Sequence, residues 1–427
     1  MDDSNIYLNS KEEILGIGKK YKLPQDKLEE FLAPDRVVRV KIPILLDSEI
    51  TIFKGYRSQH NNKLGPYKGG LRFHAKVSRD EVMALSLWMS LKTAIVGIPM
   101  GGGKGGIAID PKELTESQIE EISRIYVRQT FDVLGFDKDI PAPDVNTNPK
   151  IMDWMVDEYI KIAKKRKLKL PKGQLYAAFT GKGKQGLAGR TEATGFGGVV
   201  TLKELAKKQK IDPSKTTIAV MGFGNVGYYF AYFASLAGFK VVAVSDSKGG
   251  IIKKDTNGEL IPLDIPLVMK CKMEKGSLSG CYCAGGVCDT RGGQLISNEE
   301  LLKLPVDILV PAALEDVINE NNVSNIKAKI IIEMANGPVT PKAYDHLTNK
   351  KVIIVPDILA NSGGVACSYF EWEQNLNGKK YKKEDVLKRL EKLMSVAFEK
   401  VWAESVKHKC SLKEASYLVA LNKIFSK

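Results

Sequence analysis

One short stretch near the middle of the chain constrains the fold more than any other. Residues 222–227 read GFGNVG and match the pattern G-x-G-x-x-G, with an apolar run before them and a helical run after them. A second apolar run ends at Asp246, 19 residues beyond Gly227. A strand, a tight glycine turn, a helix and a second strand in this order are typical of the βαβ unit that binds dinucleotides. We therefore predict a dinucleotide phosphate at the N-terminus of this helix, where free N–H groups favour negative charge.

The acidic residue that ends the second strand bears on the choice of cofactor. The carboxylate of Asp246 can accept hydrogen bonds from the ribose hydroxyls of NAD, and it would repel the 2′-phosphate of NADP. Ser245, Ser247 and Lys248 flank it and could tolerate that phosphate. The sequence thus predicts NAD or NADP and leaves the preference open. A strand-to-helix turn without a ligand stays the alternative.

The rest of the chain extends this unit into an α/β fold. Further buried strands are predicted at 306–311, 329–335 and 351–357, and strands that alternate with helices form a parallel sheet covered on both faces. A length of 427 residues is enough for two or three domains. Seven glycines within 181–198 mark a change in residue composition, and we place the first domain boundary there.

The N-terminal part has a different pattern. A segment rich in Val and Ile at 36–54 predicts paired strands. Two glycine-rich segments, at 65–70 and 101–106, are predicted to be loops. Helices are predicted at 11–33 with a break at Pro24, at about 79–96, at 115–134, at 148–166 and from 361 to the end.

The excess of basic residues raises the question of a nucleic-acid partner. Lysine and arginine exceed aspartate and glutamate by 64 − 50 = 14. The densest basic run, 161–172, has no interleaved aromatic residues to stack on bases, so we expect a solvated helix end and no nucleic acid. The most apolar run, 82–100, contains Lys92, so we expect a buried helix and no membrane span. The N-terminus has no secretory signal, and a cytoplasmic location is expected.

Three lysines in the N-terminal part stand in unusual surroundings. Lys68 and Lys104 each lie among glycines, in GPYKGG and GGGKGG, and Lys92 interrupts an apolar helix. Glycine lets backbone or substrate approach closely, and a buried lysine is unfavourable unless it is paired or functional. Brought together, the three ammonium groups would lower one another's pKa, and one could then act as a base. Asp144 follows two prolines and is either an acid of the same site or the N-cap of the next helix.

These segments together resemble the glutamate dehydrogenases, within the family of glutamate, leucine, phenylalanine and valine dehydrogenases. The resemblance extends over nearly the whole chain and rests on motifs in the same order and spacing: GPYKGGLRFH, PMGGGKGG, PAPDVNT, GFGNVG, EMANGPVT and ANSGGV. It implies the reversible oxidative deamination of L-glutamate to 2-oxoglutarate and ammonium with NAD or NADP. It also implies a homohexamer.

The resemblance implies the domain organisation as well. An N-terminal α/β domain for substrate binding and oligomerisation is expected at 1–180, joined by the C-terminal helices 365–427. A Rossmann-type dinucleotide-binding domain is expected at 181–364, with a cleft between the two domains.

Carried over by motif, the resemblance gives each polar residue of the first domain a role. Lys104 is expected to activate water for attack on the iminium carbon, and Asp144 to move protons to and from the substrate nitrogen. Lys92 is expected to bind the α-carboxylate, and Lys68 to bind the side-chain carboxylate together with Ser368. The residues expected to line the same pocket are Gly69, Ala142 and Val365.

The dinucleotide is expected to contact several motifs of the second domain. By resemblance and from the fingerprint, its binding residues are Arg190, Thr194, Gly222, Gly224, Asn225, Val226, Gly227, Asp246, Ser247, Ala312, Ala313, Asn336 and Asn361. The last two would place polar groups near the nicotinamide.

Lys68 distinguishes glutamate from the other substrates of such enzymes. Relatives that take leucine or phenylalanine carry an apolar residue at this place, and leucine would leave a buried ammonium unpaired. Glutamate is therefore the expected substrate. The alternatives are the same reaction on a branched-chain or aromatic amino acid, and a cofactor-binding regulator that has lost catalysis. The presence of both Lys104 and Asp144 argues against the regulator.

Two segments depart from the family pattern. Segment 180–187 is shorter and more basic than usual, which puts the cofactor contacts before Arg190 in doubt. The larger departure is a cysteine-containing insertion at about 271–294. Its thiols could hold a structural zinc ion or iron–sulfur cluster, form a disulfide or redox switch, or stay unlinked. These cysteines are Cys271, Cys281, Cys283 and Cys288.

Overall fold

The computed structural model describes residues 6–46, 48–282 and 293–427. Its α-helices, α1 to α15 in chain order, are Ile6–Lys20, Gln25–Phe31, Arg79–Val96, Glu116–Thr130, Pro149–Lys165, Lys172–Ala177, Ala193–Gln209, Asn225–Leu236, Ile265–Lys275, Asn298–Leu302, Pro341–Asn349, Asp357–Ala360, Gly363–Asn377, Lys383–His408 and Leu412–Phe425. Its strands, β1 to β12, are Arg36–Leu46, Glu49–Asn61, Tyr67–Phe73, Gly102–Ile107, Asp139–Pro143, Thr217–Met221, Lys240–Asp246, Gly249–Lys253, Gly293–Ile296, Ile308–Pro311, Ile330–Ile332 and Ile353–Val355. None of the helices in these ranges is long and apolar enough to cross a membrane.

Most of the predicted elements are confirmed. The paired strands predicted at 36–54 are β1 and β2, which run antiparallel. The helix predicted at about 79–96 is α3, where the Ser78 hydroxyl accepts a hydrogen bond from the Glu81 N–H and Gly97 ends the helix with a φ of 79°. The three apolar runs predicted late in the chain are β10, β11 and β12.

The chain divides into two compact units. Unit 1 comprises Met1–Arg190, Val365–Val386 and Tyr417–Lys427, and unit 2 comprises Thr191–Gly364 and Leu387–Ser416. The first boundary therefore lies ten residues beyond the expected one (190 − 180 = 10). Most of α14 belongs to unit 2, although all the C-terminal helices were expected to join the N-terminal domain.

Two ion pairs connect α14 to α7 of unit 2. Lys203 forms an ion pair with Glu391 at 2.6 Å, and Lys208 forms one with Glu399 at 2.7 Å. The polar residues of these two helices thus meet along their contact, which the helical pattern alone does not reveal.

Unit 1 is built on a five-stranded sheet in the order β1-β2-β4-β3-β5. Strand β2 is antiparallel to both β1 and β4, whereas β3 is parallel to both β4 and β5. Helices α4 and α5 pack on this sheet over a core that includes Ile42, Phe73, Tyr126 and Met152. Helix α3 packs against β2 and β4.

The two glycine-rich segments predicted to be loops are instead strands β3 and β4, and that prediction was wrong. Their glycines allow close packing. A Cβ added at Gly69 would lie 1.5 Å from the carbonyl oxygen of Gly103, and one at Gly102 would lie 2.1 Å from the hydroxyl oxygen of Ser90 in α3. The glycines therefore let the two strands and the helix approach one another closely, and the lysines among these glycines lie on strands.

Unit 2 contains, within the described residues, a seven-stranded sheet in the order β12-β11-β10-β6-β7-β8-β9. The strands from β12 to β7 are parallel, and β8 and β9 extend the sheet antiparallel. This confirms the expected parallel α/β sheet. From β6 the chain continues to β7 on one side and later to β10 on the other, so the strand order reverses at β6. In sheets of this kind ligands bind at the carboxyl ends of the parallel strands beside such a reversal.

We expect the Gly102→Ala variant to be strongly destabilised. The added methyl group would meet Ser90 and the backbone of α3, and overpacking of this kind costs about 3 kcal/mol. The matched control is Gly16→Ala in α1, where a Cβ meets nothing within 4 Å; replacing a helical glycine with alanine stabilises by about 0.5–1 kcal/mol. Urea unfolding measures both shifts. A Gly102→Ala midpoint equal to that of the unaltered chain would contradict the close packing.

Candidate active site and cofactor site

The first cluster of polar residues in unit 1 joins Lys104 and Asp144. Lys104 lies in β4 with 6% of its surface exposed, and its ammonium forms an ion pair with Asp144, the residue after β5. Arg72 of β3 stands beside this pair, with its Nε 3.6 Å from Asp144 Oδ2. Asp144 does not cap the next helix, because Asn148 does so. The structure thus brings together the two residues predicted to be catalytic.

Burial and Arg72 set the charges of this pair. Burial lowers the pKa of Lys104 and outweighs the Asp144 carboxylate, which raises it; Arg72 lowers it further. Burial would raise the pKa of Asp144, but Lys104 and Arg72 lower it to about 2. Asp144 is therefore a carboxylate at neutral pH, and Lys104 loses its proton more easily than an ordinary lysine. Burial and Arg72, rather than the expected repulsion among three lysines, produce this effect.

Lys68 of β3 is the centre of a second cluster. Only 1% of its surface is exposed, and its ammonium donates a hydrogen bond to the carbonyl oxygen of Ile140 at 3.1 Å. Among the described residues, no carboxylate lies within 4.0 Å of this ammonium. Burial lowers the pKa of Lys68 well below its usual range, and the cations Arg190 and Arg57 lower it further. The carboxylates of Glu371 and Asp139 act in the opposite direction from farther away, but neither forms an ion pair with Lys68.

A buried ion pair fixes the strand that carries Lys68. The Nε of Arg57 in β2 donates to Asp139 Oδ2 at 2.8 Å, and neither side chain has any exposed surface. The Nη1 of Arg57 donates to the carbonyl oxygens of Gly69 and Gly70 at 3.2 and 3.3 Å. Sequence reasoning missed both partners, because Arg57 lies beyond the predicted strand segment 36–54 and Asp139 is 82 residues away in the chain.

Arg190 lies beside Ser368 in unit 1. Its Nη1 donates to the Ser368 hydroxyl at 2.6 Å, and the hydroxyl oxygens of Thr180 and Ser368 are 3.1 Å apart. Arg190 is also close enough to Lys68 to act on its pKa. These contacts favour a place for Arg190 beside the substrate over the cofactor role that the resemblance implies, and that role stays a prediction.

Glu371 of α13 balances the positive charge of this region. Its two carboxylate oxygens accept hydrogen bonds from the Gly181 N–H at 2.9 and 2.8 Å, and its ion pair with Lys182 measures 2.9 Å between fully buried side chains. Burial lowers the pKa of Lys182, and Glu371 opposes that change. The unusual segment 180–187 therefore contributes a buried lysine to the cluster. Nothing in the local sequence pattern indicates Glu371, because its partners are distant in the chain.

The other expected substrate residues also lie in unit 1. Lys92 is in α3 with 7% of its surface exposed, and Ala142 is in β5 with 5% exposed. Gly69 adjoins Lys68 in β3, and Val365 is a half-buried residue of α13. Their roles in substrate binding stay predictions.

In unit 2 the glycine fingerprint forms the turn expected of it. Gly222 has a φ of +105°, a conformation that favours glycine, and a Cβ added at Gly227 would lie 1.9 Å from the Gly222 carbonyl oxygen. At Gly224 an added Cβ meets nothing within 4 Å, so the backbone there faces open space. Helix α8 begins at Asn225 without a side-chain cap among the described residues. Its first N–H groups are therefore available to a pyrophosphate, which is the fit that a dinucleotide requires.

Other expected cofactor residues follow the parallel strands of the same sheet. Asn361 donates to Asn336 Oδ1 at 3.1 Å, so the two asparagines expected near the nicotinamide do meet. Ala312 and Ala313 follow β10 and lie against Gly222, whose added Cβ would come within 2.7 Å of both. The remaining three are Thr194 in α7, Val226 in the first turn of α8 and the exposed Ser247 after β7.

Three donors hold Asp246 at the end of β7. The backbone N–H groups of Lys248 and Leu278 each donate to its carboxylate at 2.9 Å, and Lys272 Nζ lies 3.3 Å from Oδ2. Burial would raise the pKa of Asp246, but these partners lower it, so the residue is a charged carboxylate. Lys272 of α9, which sequence reasoning missed, also donates to the carbonyl oxygen of Phe223 at 2.7 Å.

Two cysteines of the insertion are bonded to each other. Cys271 in α9 and Cys281 form a disulfide with their Cα atoms 5.6 Å apart, while Cys283 and Cys288 lie outside the described residues. In the part of the chain that the structure describes, no group of three or more His, Cys, Asp or Glu residues could hold a metal ion. The structural metal is therefore unsupported, because two of its four expected ligands are used in a covalent bond.

Comparisons with known proteins relate this chain to one enzyme family over nearly its full length. Residues 186–427 match the family described as glutamate/leucine/phenylalanine/valine dehydrogenase, and residues 34–161 match the dimerisation domain of the same enzymes. A glutamate dehydrogenase of Aeropyrum pernix is 43% identical over 94% of this chain and 92% of its own. An NAD-specific glutamate dehydrogenase of Clostridioides difficile is 40% identical over 99% of this chain and 97% of its own.

Solved structures show the same likeness. The glutamate dehydrogenase of Peptoniphilus asaccharolyticus is 36% identical with a TM-score of 0.82, and the alignment covers 99% of this chain and 98% of that one. A hetero-hexameric glutamate dehydrogenase of Thermus thermophilus is 30% identical with a TM-score of 0.86, covering 100% of this chain and 96% of that one. The two-domain α/β fold expected from the sequence is thereby confirmed.

Proposed function

The chain belongs to the family of glutamate, leucine, phenylalanine and valine dehydrogenases, and we propose that it catalyses the reversible oxidative deamination of L-glutamate. L-Glutamate, water and NAD(P)+ give 2-oxoglutarate, ammonium and NAD(P)H. Relatives about 40% identical over nearly the full length are glutamate dehydrogenases. Within the structure, the observation that carries the choice of substrate is the buried ammonium of Lys68.

Lys68 selects a substrate whose side chain ends in a carboxylate. A buried ammonium without an ion-pair partner is unfavourable, and the side-chain carboxylate of glutamate would supply that partner. Arg190 and Ser368, which are bonded to each other, add a cation and a hydroxyl to the same cluster. Leucine or phenylalanine would leave the ammonium unpaired, so the branched-chain and aromatic alternatives are disfavoured.

Lys104 and Asp144 carry out the proton transfers. With its lowered pKa, Lys104 takes a proton from the water that attacks the iminium carbon of the oxidised substrate, and the Asp144 carboxylate takes one from the substrate nitrogen. Their ion pair gives a path for a proton from one to the other. Lys92 is assigned to the α-carboxylate. Bound NAD(P)+ supplies the hydride acceptor.

The cofactor site favours NAD over NADP. Asp246 stays charged because its partners lower its pKa, so its carboxylate suits the ribose hydroxyls and repels a 2′-phosphate. The Clostridioides difficile relative is named as NAD-specific, which supports this preference.

We propose a homohexamer as the assembly. The match of residues 34–161 to a dimerisation domain supports association, and the Thermus thermophilus neighbour is described as a hetero-hexamer. The cytoplasmic location and the absence of a nucleic-acid partner stay predictions.

We expect the protein to reduce NAD+ with L-glutamate as the substrate. The rate should be much lower, or zero, with L-leucine or L-phenylalanine, and NADP+ should be reduced more slowly than NAD+.

The Lys104→Met variant should lose turnover, because no base remains to activate water, and should still bind NADH. Initial rates from the absorbance of the reduced nicotinamide, and NADH titration by fluorescence, measure both effects. Lys270→Met, on an exposed lysine, is the control. Preferred turnover of leucine, or full activity of Lys104→Met, would contradict the proposal.

The Lys68→Leu variant should reverse the preference for an acidic side chain. Loss of the buried cation removes the partner of the substrate carboxylate, so kcat/KM for glutamate should fall about a hundredfold to a thousandfold. The value for L-norleucine should change little or rise. The matched control is Lys63→Leu, on a lysine with a 27% exposed side chain. An equal loss of kcat/KM for glutamate and norleucine would show that Lys68 does not distinguish the substrate side chains.

The Arg72→Met variant should shift the pH profile of glutamate oxidation to higher pH. Arg72 lowers the pKa of Lys104, so removing its charge raises that pKa, and a higher pH is then needed to obtain the neutral lysine. The measurement is kcat/KM against pH for both proteins, with Arg39→Met on the exposed surface of β1 as the control. A profile that stays in place or moves to lower pH would rule out Lys104 as the base.

A further inference from the structure

The cysteine pair of unit 2 has no part in the function proposed above. We propose that Cys271 and Cys281 form a reversible thiol–disulfide site that controls how tightly the dinucleotide is bound, an inference that rests on the proposed cofactor. The disulfide closes residues 271–281 into a loop. Inside this loop lie two of the groups that hold Asp246.

The first of these groups is the ammonium of Lys272, the neighbour of Cys271. It lies 3.3 Å from Asp246 Oδ2 and donates to the carbonyl oxygen of Phe223 at 2.7 Å. Phe223 is the second residue of the glycine fingerprint. One side chain therefore connects the acid assigned to the ribose with the turn assigned to the pyrophosphate.

The second group is the backbone N–H of Leu278. It donates to Asp246 Oδ2, the oxygen that Lys272 also approaches, at 2.9 Å. The carbonyl oxygen of Leu278 accepts a hydrogen bond from the Cys281 N–H at 3.0 Å, so the position of Leu278 follows that of Cys281. The two cysteines thus flank the two donors, one at each end of the loop.

The cross-link keeps these donors at a fixed separation. Helix α9 ends at Lys275, and Gly276 turns the chain away with a φ of +75°. A disulfide restricts the open conformations of such a short loop. In the dithiol form only noncovalent contacts, among them the burial of Leu278, hold the turn at 276–281, so it leaves α9 more easily. The carboxylate of Asp246 then loses the Leu278 N–H, and its orientation toward the ribose is less well defined.

The interconversion is a two-electron exchange. One cysteine thiolate attacks a sulfur of an external disulfide, and the second displaces the external thiol from the mixed disulfide. The protein loses two protons and two electrons, and the external disulfide becomes two thiols; a dithiol reverses the reaction. Because Cys271 and Cys281 are only 3% and 5% exposed, the turn must open before exchange. A dinucleotide bound at Asp246 would hold that turn closed.

This coupling gives a signature that a merely structural disulfide lacks. If the disulfide tightens the binding of NADH by some factor, NADH must favour the disulfide over the dithiol by the same factor. The redox equilibrium of this pair should therefore respond to NADH.

The test compares the full chain after oxidation with a cyclic disulfide and after reduction with a dithiol. Peptide mapping confirms the Cys271–Cys281 link. We expect the Kd for NADH, from fluorescence titration, to be about tenfold higher in the reduced protein, as for loss of one hydrogen bond to a charged group. The kcat with glutamate at saturating NAD+ should be unchanged. In a thiol–disulfide buffer, NADH should raise the ratio of disulfide to dithiol by the same tenfold.

Two double variants locate the effect. Cys271→Ser/Cys281→Ser should bind NADH as the reduced protein does, whether or not it has been treated with oxidant. Cys283→Ser/Cys288→Ser is the matched control and should keep the tenfold response.

Equal Kd values for NADH in the oxidised and reduced protein would overturn this inference. A response that persists in Cys271→Ser/Cys281→Ser would do the same. If glutamate turnover and NADH binding are both normal and insensitive to reduction, this inference alone fails and the proposed function stands. If NADH does not bind in either state, the inference fails together with the cofactor assignment.

Discussion

The structure of unit 1 depends on how it balances buried positive charge. Arg57, Lys68 and Lys182 are all nearly or fully buried, and an isolated buried cation is unfavourable by more than a folded domain can tolerate. Asp139 balances the first and Glu371 the third. Lys68 has a backbone carbonyl as its hydrogen-bond partner and no ion pair, and its pKa lies well below the usual range, so a substrate carboxylate beside it would favour its charged form. The proposed selectivity for an acidic substrate therefore follows from the charge balance of this cluster.

The glycines of β3 and β4 make this arrangement possible. Because Gly69 contacts the Gly103 carbonyl and Gly102 contacts Ser90, the two strands and α3 form one closely packed layer. Strands position functional groups more accurately than loops do. Lys104 and Lys68, which we propose as the catalytic base and the specificity residue, are thus fixed on neighbouring parallel strands, and Gly70 leaves the space that the Asp144 carboxylate occupies.

Local sequence patterns predicted the helices and strands whose formation depends on neighbouring residues in the chain. Hydrophobic periodicity placed α3 and the pair β1 and β2, whereas the placing of Lys104 and Asp144 in one site came from the resemblance to the dehydrogenase family. The glycine segments were assigned to loops because glycine marks both turns and close packing, and only the tertiary structure tells the two apart. The sequence did not predict the carboxylates that balance the buried cations, because these partners are distant in the chain. Asp139 is 82 residues from Arg57, and Glu371 is 189 residues from Lys182.

The two units achieve selectivity by opposite uses of a charged group. Unit 1 leaves the cation of Lys68 without an anion, so a ligand that brings a carboxylate is favoured. Unit 2 surrounds the anion of Asp246 with donors, which keeps it ionised close to where phosphates bind. On the proposed function, an ionised Asp246 would repel a further negative group on the ribose, while the N-terminus of α8 would accept the pyrophosphate. Both proposed preferences therefore follow from burial and immediate partners rather than from the overall excess of 14 positive charges.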